Sequence, residues 1–524
     1  RPVSPPAPHV AAPPRAGPAQ SAPCPGAPPS PRPRHRRCPR PPVMAPAARR
    51  LGRSLACAIL LALAGAARGA LMSVDYGSEY IKVALVAPGK IPIRVIGNEM
   101  SKRKSPAAVS FAQGERRLGE EASALGLRFP DRVLYGARDW LGKGAEASAA
   151  IAGARYLPYD LRPAPGGRGG TAVVAEGATY TSEEVVAMTL QYAQKIAEAE
   201  AGAQVRDAVV TVPAFFGQPE RQALLDAAAV AGLNVLALVS EHAAAGLQWG
   251  IDKDFSNTTQ RVVLYDMGSG STTAALLEFS SYQAKEAGKK KSVGQFEVKG
   301  LKWDAALGGA DFDAVLVEHF IGEVRERHGV DVRGAPKSVA KLKKEVRRTK
   351  EILSANKEAP ISVEGLTDEV DFRSTVTREK FEELAAPLLE RAGAPLRALL
   401  EETGVPVEEL DAVELIGGGT RVPGVIAAVS AALGGRETDR HMDADEAIAF
   451  GAGLHAANIS TTFRVRKFGA VDGAPYPLEL QVGEGKEAGA DDGEEEGEEA
   501  PAAAPGRKTL LPLWKKVPAR RVVH

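Results

Sequence analysis

Two stretches of the chain repeat one pattern of apolar and polar positions. In each, a β-prone apolar run leads into an acidic turn of small residues, and a second apolar run follows; the stretches are Val74–Val86 and Val262–Thr273. This pattern predicts two strands joined by a tight hairpin. One such turn most often does no more than reverse the chain. Two copies at a domain-sized separation predict an internal repeat, with Asp75 and Asp266 at equivalent positions.

Helical periodicity fills the intervals between the predicted strands. Thr181–Glu184 has the sequence of a capping box before apolar positions at helical spacing, and Pro219 begins a helix that Gly232 ends. A further strand is predicted at Ala208–Val212. Strands that alternate with helices, twice over, predict two α/β lobes with a cleft between them, and the hairpins would meet at the cleft floor.

A basic helix with one apolar face is predicted at Lys337–Leu353. The apolar positions Val339, Leu342, Val346 and Leu353 fall at helical spacing, so this face should pack on a core. The ordinary interpretation of the charged remainder is a solvated surface.

A third β-prone run, Glu414–Ile416, leads into three consecutive glycines and then the start of a helix. Glycine lets the backbone approach a flat ligand closely, and the unpaired amides of a helix N-terminus attract an anion. In the hairpins, Gly and Ser amides can wrap a phosphate while the turn carboxylates face a cation or water. Together the three turns indicate a ligand that contains phosphate.

The charge balance differs between the start of the chain and the rest. Residues 1–69 carry 11 Lys or Arg and no acidic residue, whereas residues 70–524 carry 55 basic and 65 acidic side chains, a net charge of −10. An acidic body argues against nucleic acid as a main partner. All three cysteines precede residue 69, so the remainder has no basis for a disulfide, a thiol nucleophile or a cysteine zinc site.

The first part of the chain predicts processing rather than structure. Residues 1–43 hold 16 prolines and no apolar periodicity, which predicts a disordered N-terminal extension. Residues 44–69 have the order of a secretory signal peptide: arginines, an apolar run, then small residues. The apolar run Leu55–Ala66 is too short to span a bilayer, so no membrane span is expected after cleavage. Two sequons, at Asn257 and Asn458, fit a glycoprotein.

Three further motifs carry a resemblance to a known family. Val210–Phe216, Leu307–Asp313 and Asp445–Ala447 occur, together with the hairpins and the glycine turn, in the order typical of the seventy-kilodalton heat-shock chaperones (DnaK-like). The resemblance covers about residues 72–460. It implies an α/β, two-lobed actin/hexokinase-like ATPase fold with a nucleotide cleft.

The resemblance also divides the chain into segments. Residues 70–460 would form the nucleotide-binding domain, and residues 461–482 a fragment of the peptide-binding β domain, with strands at Phe463–Phe468 and Tyr476–Leu480. Residues 483–524, acidic and then basic, predict a disordered tail. Because neither a lid nor a lumenal retention signal follows, a truncated or alternative C-terminus is expected.

Site residues follow from the resemblance, for a site that binds ATP or ADP with magnesium. Catalysis would fall to Asp75, Arg138, Glu241, Asp266 and Ser271, of which Asp75 and Asp266 would also hold magnesium through water. Nucleotide contacts would come from Gly77, Ser78, Gly268, Ser269, Gly270, Gly308, Gly309, Lys350, Ser354, Gly417, Gly418, Arg421 and Asp445, of which the last six would contact adenosine. Pro213 and Arg221 would couple the nucleotide state to the peptide domain.

The chain departs from the family pattern at several positions. Arg138 stands where a catalytic Lys is usual, and a planar fork is not a conservative replacement for a compact ammonium beside a phosphate. The other departures are Thr273 for Asp, Ser271 for Thr, Glu79 for a small hydroxyl residue, His242 for Pro, and the exchanged pair Arg347 and Glu351. They predict nucleotide binding with slow turnover. Together with the signal peptide, they resemble the large lumenal branch of the family.

That resemblance implies an ATP-binding chaperone of the endoplasmic reticulum lumen, active in protein folding and the stress response to conditions such as hypoxia, with weak ATP hydrolysis. It would hold unfolded client polypeptides in its full-length form and act as a nucleotide exchange factor for the standard lumenal heat-shock chaperone. The alternatives are a nucleotide-dependent docking and exchange module without turnover, a non-functional truncated isoform, and a sugar or glycerol kinase on the same fold, against which the chaperone motifs argue.

Overall fold

The computed structural model describes residues 69–89, 92–166, 169–286, 289–460, 462–463, 465–473, 475–482 and 506–511. The predicted N-terminal extension and signal peptide lie outside the described residues, as does most of the predicted tail.

The strands, in chain order, are β1 (Leu71–Tyr76), β2 (Tyr80–Val86), β3 (Ile93–Ile96), β4 (Ser105–Pro106), β5 (Ala108–Ser110), β6 (Arg117–Leu118), β7 (Val133–Tyr135), β8 (Leu161–Pro163), β9 (Thr171–Ala175), β10 (Ala178–Thr181), β11 (Asp207–Val212), β12 (Asn234–Ser240), β13 (Gln260–Met267), β14 (Thr272–Glu286), β15 (Lys289–Asp304), β16 (Glu358–Val363), β17 (Phe372–Thr377), β18 (Ala412–Ile416), β19 (Gly469–Val471), β20 (Leu478–Val482) and β21 (Gly506–Leu511). The helices are α1 (Gly119–Leu125), α2 (Ala145–Ala154), α3 (Ser182–Ala201), α4 (Gln218–Val230), α5 (Glu241–Gly250), α6 (Gly309–His328), α7 (Pro336–Ala355), α8 (Arg378–Leu384), α9 (Ala386–Ala392), α10 (Ala394–Thr403), α11 (Pro423–Ala432) and α12 (Ala447–Ile459).

The first lobe is built on a sheet with the strand order β12–β11–β1–β2–β3, and β4 pairs with β2. β1 runs antiparallel to β2 and parallel to β11, which confirms the first predicted hairpin. Helix α3 begins at the predicted capping box, where Thr181 accepts a hydrogen bond from the Glu184 amide. Its apolar positions share one core with Met72, Tyr76 and Trp140.

The second lobe repeats this arrangement. Its sheet has the order β18–β13–β14–β15–β19, with β13 antiparallel to β14 and parallel to β18. The predicted internal repeat is therefore confirmed, because β1, β2 and β11 stand in the same relation as β13, β14 and β18. Helix α7 buries the predicted apolar face, Val339, Leu342, Val346 and Leu353, in the core of this lobe.

A shared base joins the lobes beneath the cleft. A third cluster of buried apolar residues combines side chains from both sheets with helices α5 and α12. The two helices touch so closely that a Cβ on Gly451 would lie 1.8 Å from the carbonyl oxygen of Ala244. Ser73 Oγ of β1 donates to the carbonyl oxygen of Ala449 at 2.9 Å, which fixes α12 to the first lobe.

The segment after α12 differs from the prediction. Phe463–Phe468, predicted as a strand of a separate β domain, has no regular secondary structure at its described residues. Phe468 is buried against Phe279 and Phe296 of the second lobe, and this contact holds the following residues beside β15. β19 then adds in parallel to β15, so the segment extends the sheet of the second lobe.

Farther along, β20 pairs antiparallel with β21. The second predicted strand, Tyr476–Leu480, is confirmed from Leu478 onward. Gly506–Leu511, within the tail predicted to be disordered, forms β21, where the β-prone Thr-Leu-Leu run supplies the partner strand. Across the described ranges, no helix has both the length and the apolar character that crossing a membrane requires.

Candidate functional site

The turns of both hairpins and the glycine turn after β18 open into one cleft between the lobes. Of the residues predicted for the site, the cleft is lined by Asp75, Gly77, Ser78, Arg138, Glu241, Asp266, Gly268, Ser269, Ser271, Gly309, Lys350, Ser354, Gly417, Gly418, Arg421 and Asp445. Gly270 and Gly308 lie beside the cleft without lining it; a Cβ on Gly308 would lie 2.3 Å from the carbonyl oxygen of Ser269. The internal repeat accounts for the convergence, since equivalent turns of two facing sheets approach the same floor.

Glycine is required where the glycine turn meets the second hairpin. Gly417 has a φ of 81°, and a Cβ there would lie 2.3 Å from the carbonyl oxygen of Met267. The hairpin turns use two of the amides predicted to wrap a phosphate: Gly77 and Gly268 each donate to the carbonyl oxygen three residues on, at 3.0 Å. A phosphate would therefore have to be met by other amides and hydroxyls of these turns.

Two carboxylates and one ammonium meet at the cleft floor. The buried Asp75 accepts from Lys82 Nζ at 2.7 Å and from Thr211 Oγ1 at 3.2 Å. Although burial opposes the charge of Lys82, Asp75 holds the pKa of the ammonium above its ordinary value. Burial raises the pKa of Asp266 to about 6, against the opposing effect of Lys82. A bound cation would therefore stabilise the ionised form of Asp266.

Arg138 lies between the floor and the first hairpin. Its guanidinium donates to Glu241 Oε1 at 2.9 Å, to Ser78 Oγ at 2.6 Å and to the carbonyl oxygen of Tyr76 at 3.3 Å. Burial raises the pKa of Glu241 to about 7, although Arg138 opposes the shift. Only a fork of several donors makes this set of contacts, so a lysine could not replace it. Arg138 thereby links Glu241 to the turn of the first hairpin.

A second arginine, Arg155, crosses the cleft between the hairpins. It donates to Asp139 Oδ2 at 2.6 Å and to the carbonyl oxygen of Gly270 at 3.3 Å. Asp139 also accepts from Ser78 Oγ at 2.8 Å. Gly270 therefore serves the site by holding the two turns together.

The residues predicted to contact adenosine lie on one wall of the cleft. Lys350 Nζ of α7 lies 2.7 Å from Asp313 Oδ1 and donates to the carbonyl oxygen of Gly309 at 2.7 Å. Arg421 donates to Asp445 Oδ2 at 2.7 Å. Burial opposes the charge of Asp445, but the bond from Arg421 holds its pKa below the ordinary value.

The exchanged pair on α7 changes the contacts of this wall. Arg347 forms an ion pair with Glu79, and its Nε lies 3.6 Å from Asp313 Oδ2. Glu79 also accepts from Ser269 Oγ at 3.1 Å. The Arg347 guanidinium is therefore engaged by two acids, one from each lobe.

Comparison with known proteins accounts for this architecture. The family model described as "Hsp70 protein" matches residues 71–494. The chain belongs to the Hsp70 family.

Two kinds of Hsp70 relative are similar to this chain. "Heat shock 70 kDa protein 17" of Arabidopsis thaliana is 47% identical over 456 residues, which cover 86% of this chain and 51% of the relative. "Hypoxia up-regulated protein 1" of Homo sapiens is 38% identical over 419 residues, covering 79% and 42%, and that of Danio rerio is 36% identical over 429 residues, covering 81% and 43%. The chain thus spans about half the length of the plant relative and less than half the length of the other two. The predicted family, the resemblance to its large branch and the two-lobed α/β ATPase fold are confirmed.

Several residues of the Hsp70 cleft were not predicted, among them Tyr80, Lys82, Lys104 and Asp313. The position of Lys82 was available from the hairpin register, since β1 and β2 place it directly opposite Asp75. Asp313 ends the motif Leu307–Asp313 but was given no site role, and Lys104 comes from a distant part of the chain to which no local pattern points.

Pro213 and Arg221, predicted to couple the Hsp70 domains, lie outside the cleft. Arg221 Nε donates to the carbonyl oxygen of Phe216 at 2.8 Å, and that residue's amide donates to the Pro213 carbonyl at 3.1 Å. Burial lowers the pKa of Arg221, while the nearby charge of Asp472 opposes the shift. Arg221 therefore faces the C-terminal segment, by which we mean the described residues that follow α12 up to β20. Its coupling role stays a prediction.

The donor set of the cleft suits a nucleotide with a divalent cation. Magnesium prefers carboxylate oxygens and usually keeps several of its waters. Throughout the described ranges, no group of three or more His, Cys, Asp or Glu could hold a metal ion. Asp75 and Asp266 supply only two carboxylates, so magnesium here would be held through its waters, beside the ammonium of Lys82.

Proposed function

We propose that this chain is the nucleotide-binding part of an ATP-dependent chaperone of the endoplasmic reticulum lumen. The observation that carries the proposal is the convergence of both phosphate hairpins and the glycine turn of an Hsp70 chain on one cleft. Similarity to "Hypoxia up-regulated protein 1" supports the lumenal branch and a role in protein folding under stress.

ATP or ADP would bind with its adenosine on the wall formed by Lys350, Ser354, Gly417, Gly418, Arg421 and Asp445, and with its phosphates at the hairpin turns. Magnesium would supply neutralisation of phosphate charge when held through water by Asp75 and Asp266. Glu241 would orient the attacking water, and Arg138 would face the phosphates.

Slow turnover follows from the state of these residues. Arg138 already donates to Glu241 and Ser78, so both groups would have to exchange partners before they could act on a phosphate or a water. Arg138 also cannot present a single compact ammonium to the phosphate, because its charge is spread over a planar fork.

Slow turnover favours a role in exchange. We infer that the nucleotide-loaded lobes dock on a lumenal heat-shock 70-type chaperone and release its ADP, whereas unfolded polypeptides would be held by the full-length form. A docking and exchange module without significant turnover is the second candidate, and the contacts of Arg138 favour it.

If the protein is glycosylated, Asn257 is the available site, because it is exposed whereas the Asn458 side-chain amide donates to the carbonyl oxygen of Phe468 at 3.1 Å.

Thermal unfolding of the chain with and without magnesium ATP or ADP tests the proposal. A ligand at a hundred times its dissociation constant stabilises a fold by about 2.7 kcal/mol. A rise in the unfolding temperature with either nucleotide is expected, and no rise with both would reject nucleotide binding.

Turnover and exchange are then separated by two assays. ATP hydrolysis that peptide or a J-domain protein stimulates would favour an active chaperone ATPase. Faster ADP release from the lumenal heat-shock chaperone, without hydrolysis by this chain, would favour the docking module.

A further inference from the structure

Among the residues that the structure describes, Lys82 supplies an ammonium to the cleft floor from the first hairpin, and the second hairpin has no counterpart to it. The register of β1 and β2 places it directly opposite Asp75, so both side chains leave the same face of the sheet and enter the cleft. In the second hairpin, the equivalent register pairs Asp266 with Thr273. The repeat therefore places a carboxylate in each hairpin, but an ammonium opposite that carboxylate only in the first hairpin.

Lys82 occupies one of the two carboxylate oxygens of Asp75 through which a hydrated metal would be held. Asp75 Oδ2 accepts from the ammonium at 2.7 Å, and Oδ1 accepts from Thr211 at 3.2 Å. The Lys82 side chain retains 18% exposure. An ammonium carries three donors, so it can keep its bond to Asp75 and still donate to a ligand in the cleft.

We propose that Lys82 is a further phosphate-binding residue, which supplies a resident cation for the phosphates of a nucleoside diphosphate and reduces the dependence of binding on magnesium. The proposal rests on the proposed nucleotide function. Its physical basis is charge: the floor holds acidic groups on both lobes, and a phosphate chain brought there needs a cation between itself and these acids. Lys82 provides one without a metal.

Calorimetric titration of the full chain with ADP, in excess magnesium and again in EDTA, tests this directly. For the unsubstituted chain, we expect the dissociation constant to change by less than about tenfold between the two conditions. In Lys82→Met, ADP binding in EDTA should weaken by about ten- to a hundredfold, the usual effect of losing a hydrogen bond to a charged group. Magnesium should restore most of it.

Two further variants separate charge at the floor from charge in general. Lys82→Arg keeps a cation and should retain binding in EDTA. Lys102→Met removes an ammonium that lies 3.1 Å from Glu120 in the first lobe and does not line the cleft, so it should leave the ratio of the two dissociation constants unchanged.

The outcomes are distinct. If magnesium lowers the dissociation constant of ADP for the unsubstituted chain by a hundredfold or more, on the order of 3 kcal/mol, the proposal is rejected. This result does not depend on whether Lys82→Met folds. If Lys82→Met lowers the unfolding temperature but keeps the magnesium dependence of the unsubstituted chain, Lys82 is only the structural partner of Asp75. Absence of ADP binding in both conditions would instead reject the proposed function itself, and this role with it.

Discussion

Arg138 pairs with two acids, Glu241 and Asp139, whose side chains are 12% and 13% exposed, and is itself 6% exposed. In Arg138→Met, Glu241 loses its cation at a largely buried position, whereas Asp139 keeps its bond from Arg155. We expect the free energy of unfolding to fall by about 3–5 kcal/mol, the usual cost of removing one partner of a buried ion pair. Urea unfolding measures this.

The matched control removes an arginine whose pair is exposed. Arg94 Nη2 lies 2.7 Å from Glu200 with both side chains more than two-fifths exposed, so Arg94→Met should cost no more than about 1 kcal/mol. Equal losses in the two variants would show that the Arg138 contacts do not stabilise the fold.

The raised pKa of Glu241 predicts a pH dependence of stability. Burial raises this pKa from 4.5 to about 7, so the unfolded chain gives up the proton at lower pH than the folded chain. The free energy of unfolding should therefore fall as the pH rises from about 4.5 to about 7, and should stay level with respect to this group above that. In Glu241→Gln the decline should be smaller. Urea midpoints across this range measure it, and parallel profiles for the two proteins would contradict the assignment.

At the scale of elements, local patterns predicted what local chemistry determines. The hairpins, the capping box at Thr181 and the apolar face of α7 each depend on residues close in sequence, and all three are confirmed. β19 was not predicted, because its three residues pair with a strand formed far earlier in the chain. Arg155 was missed for the same reason, since only the packed lobes bring it to Asp139 and Gly270.

The two hairpins are also linked across the cleft by Glu79. Its carboxylate accepts from Ser269 Oγ and pairs with Arg347, and both partners belong to the second lobe. A nucleotide bound between the lobes would leave more readily once this link is removed, so Glu79→Thr should speed ADP release by about two- to fivefold, the range expected for a partly exposed ion pair. Stopped-flow release of a fluorescent ADP measures this rate.

A carboxylate confined to one lobe serves as the control for Glu79. Glu120 pairs with Lys102 inside the first lobe, so Glu120→Thr should leave ADP release unchanged. Combined with Arg347→Met, Glu79→Thr should show less than additive effects, since the residues share one contact. Additive effects, or the same release rate in Glu79→Thr as in the unsubstituted chain, would argue against a link across the cleft.

For the whole molecule, the shared base is what relates the cleft to the C-terminal segment. Helix α5 begins at Glu241 in the cleft and packs on α12 in the base, while β19 extends the sheet of the second lobe. The segment contacts the first lobe as well, because Tyr476 Oη donates to the carbonyl oxygen of Phe215 at 2.8 Å. Both lobes therefore contact the segment, so a change in the separation of the lobes would alter the contacts of the segment.

Asp472 is the residue through which this coupling can be measured. It accepts from Ser240 Oγ at 3.0 Å and lies 3.3 Å from His242 Nε2, the two neighbours of Glu241 in the chain. Burial opposes its charge, but His242 and the other donors hold the pKa of Asp472 below its ordinary value, so the carboxylate stays ionised at neutral pH.

In Asp472→Ala we expect faster amide hydrogen exchange in β19 and also around Glu241, because the turn before α5 loses the group that bridges its two sides. Exchange followed by mass spectrometry, with and without ADP, measures both regions in one experiment. Asp252→Ala, at an exposed acid near the end of α5, should change neither. If β19 is loosened while exchange around Glu241 stays as it was, the segment is attached to the second lobe without acting on the cleft, and His242 serves only to anchor it.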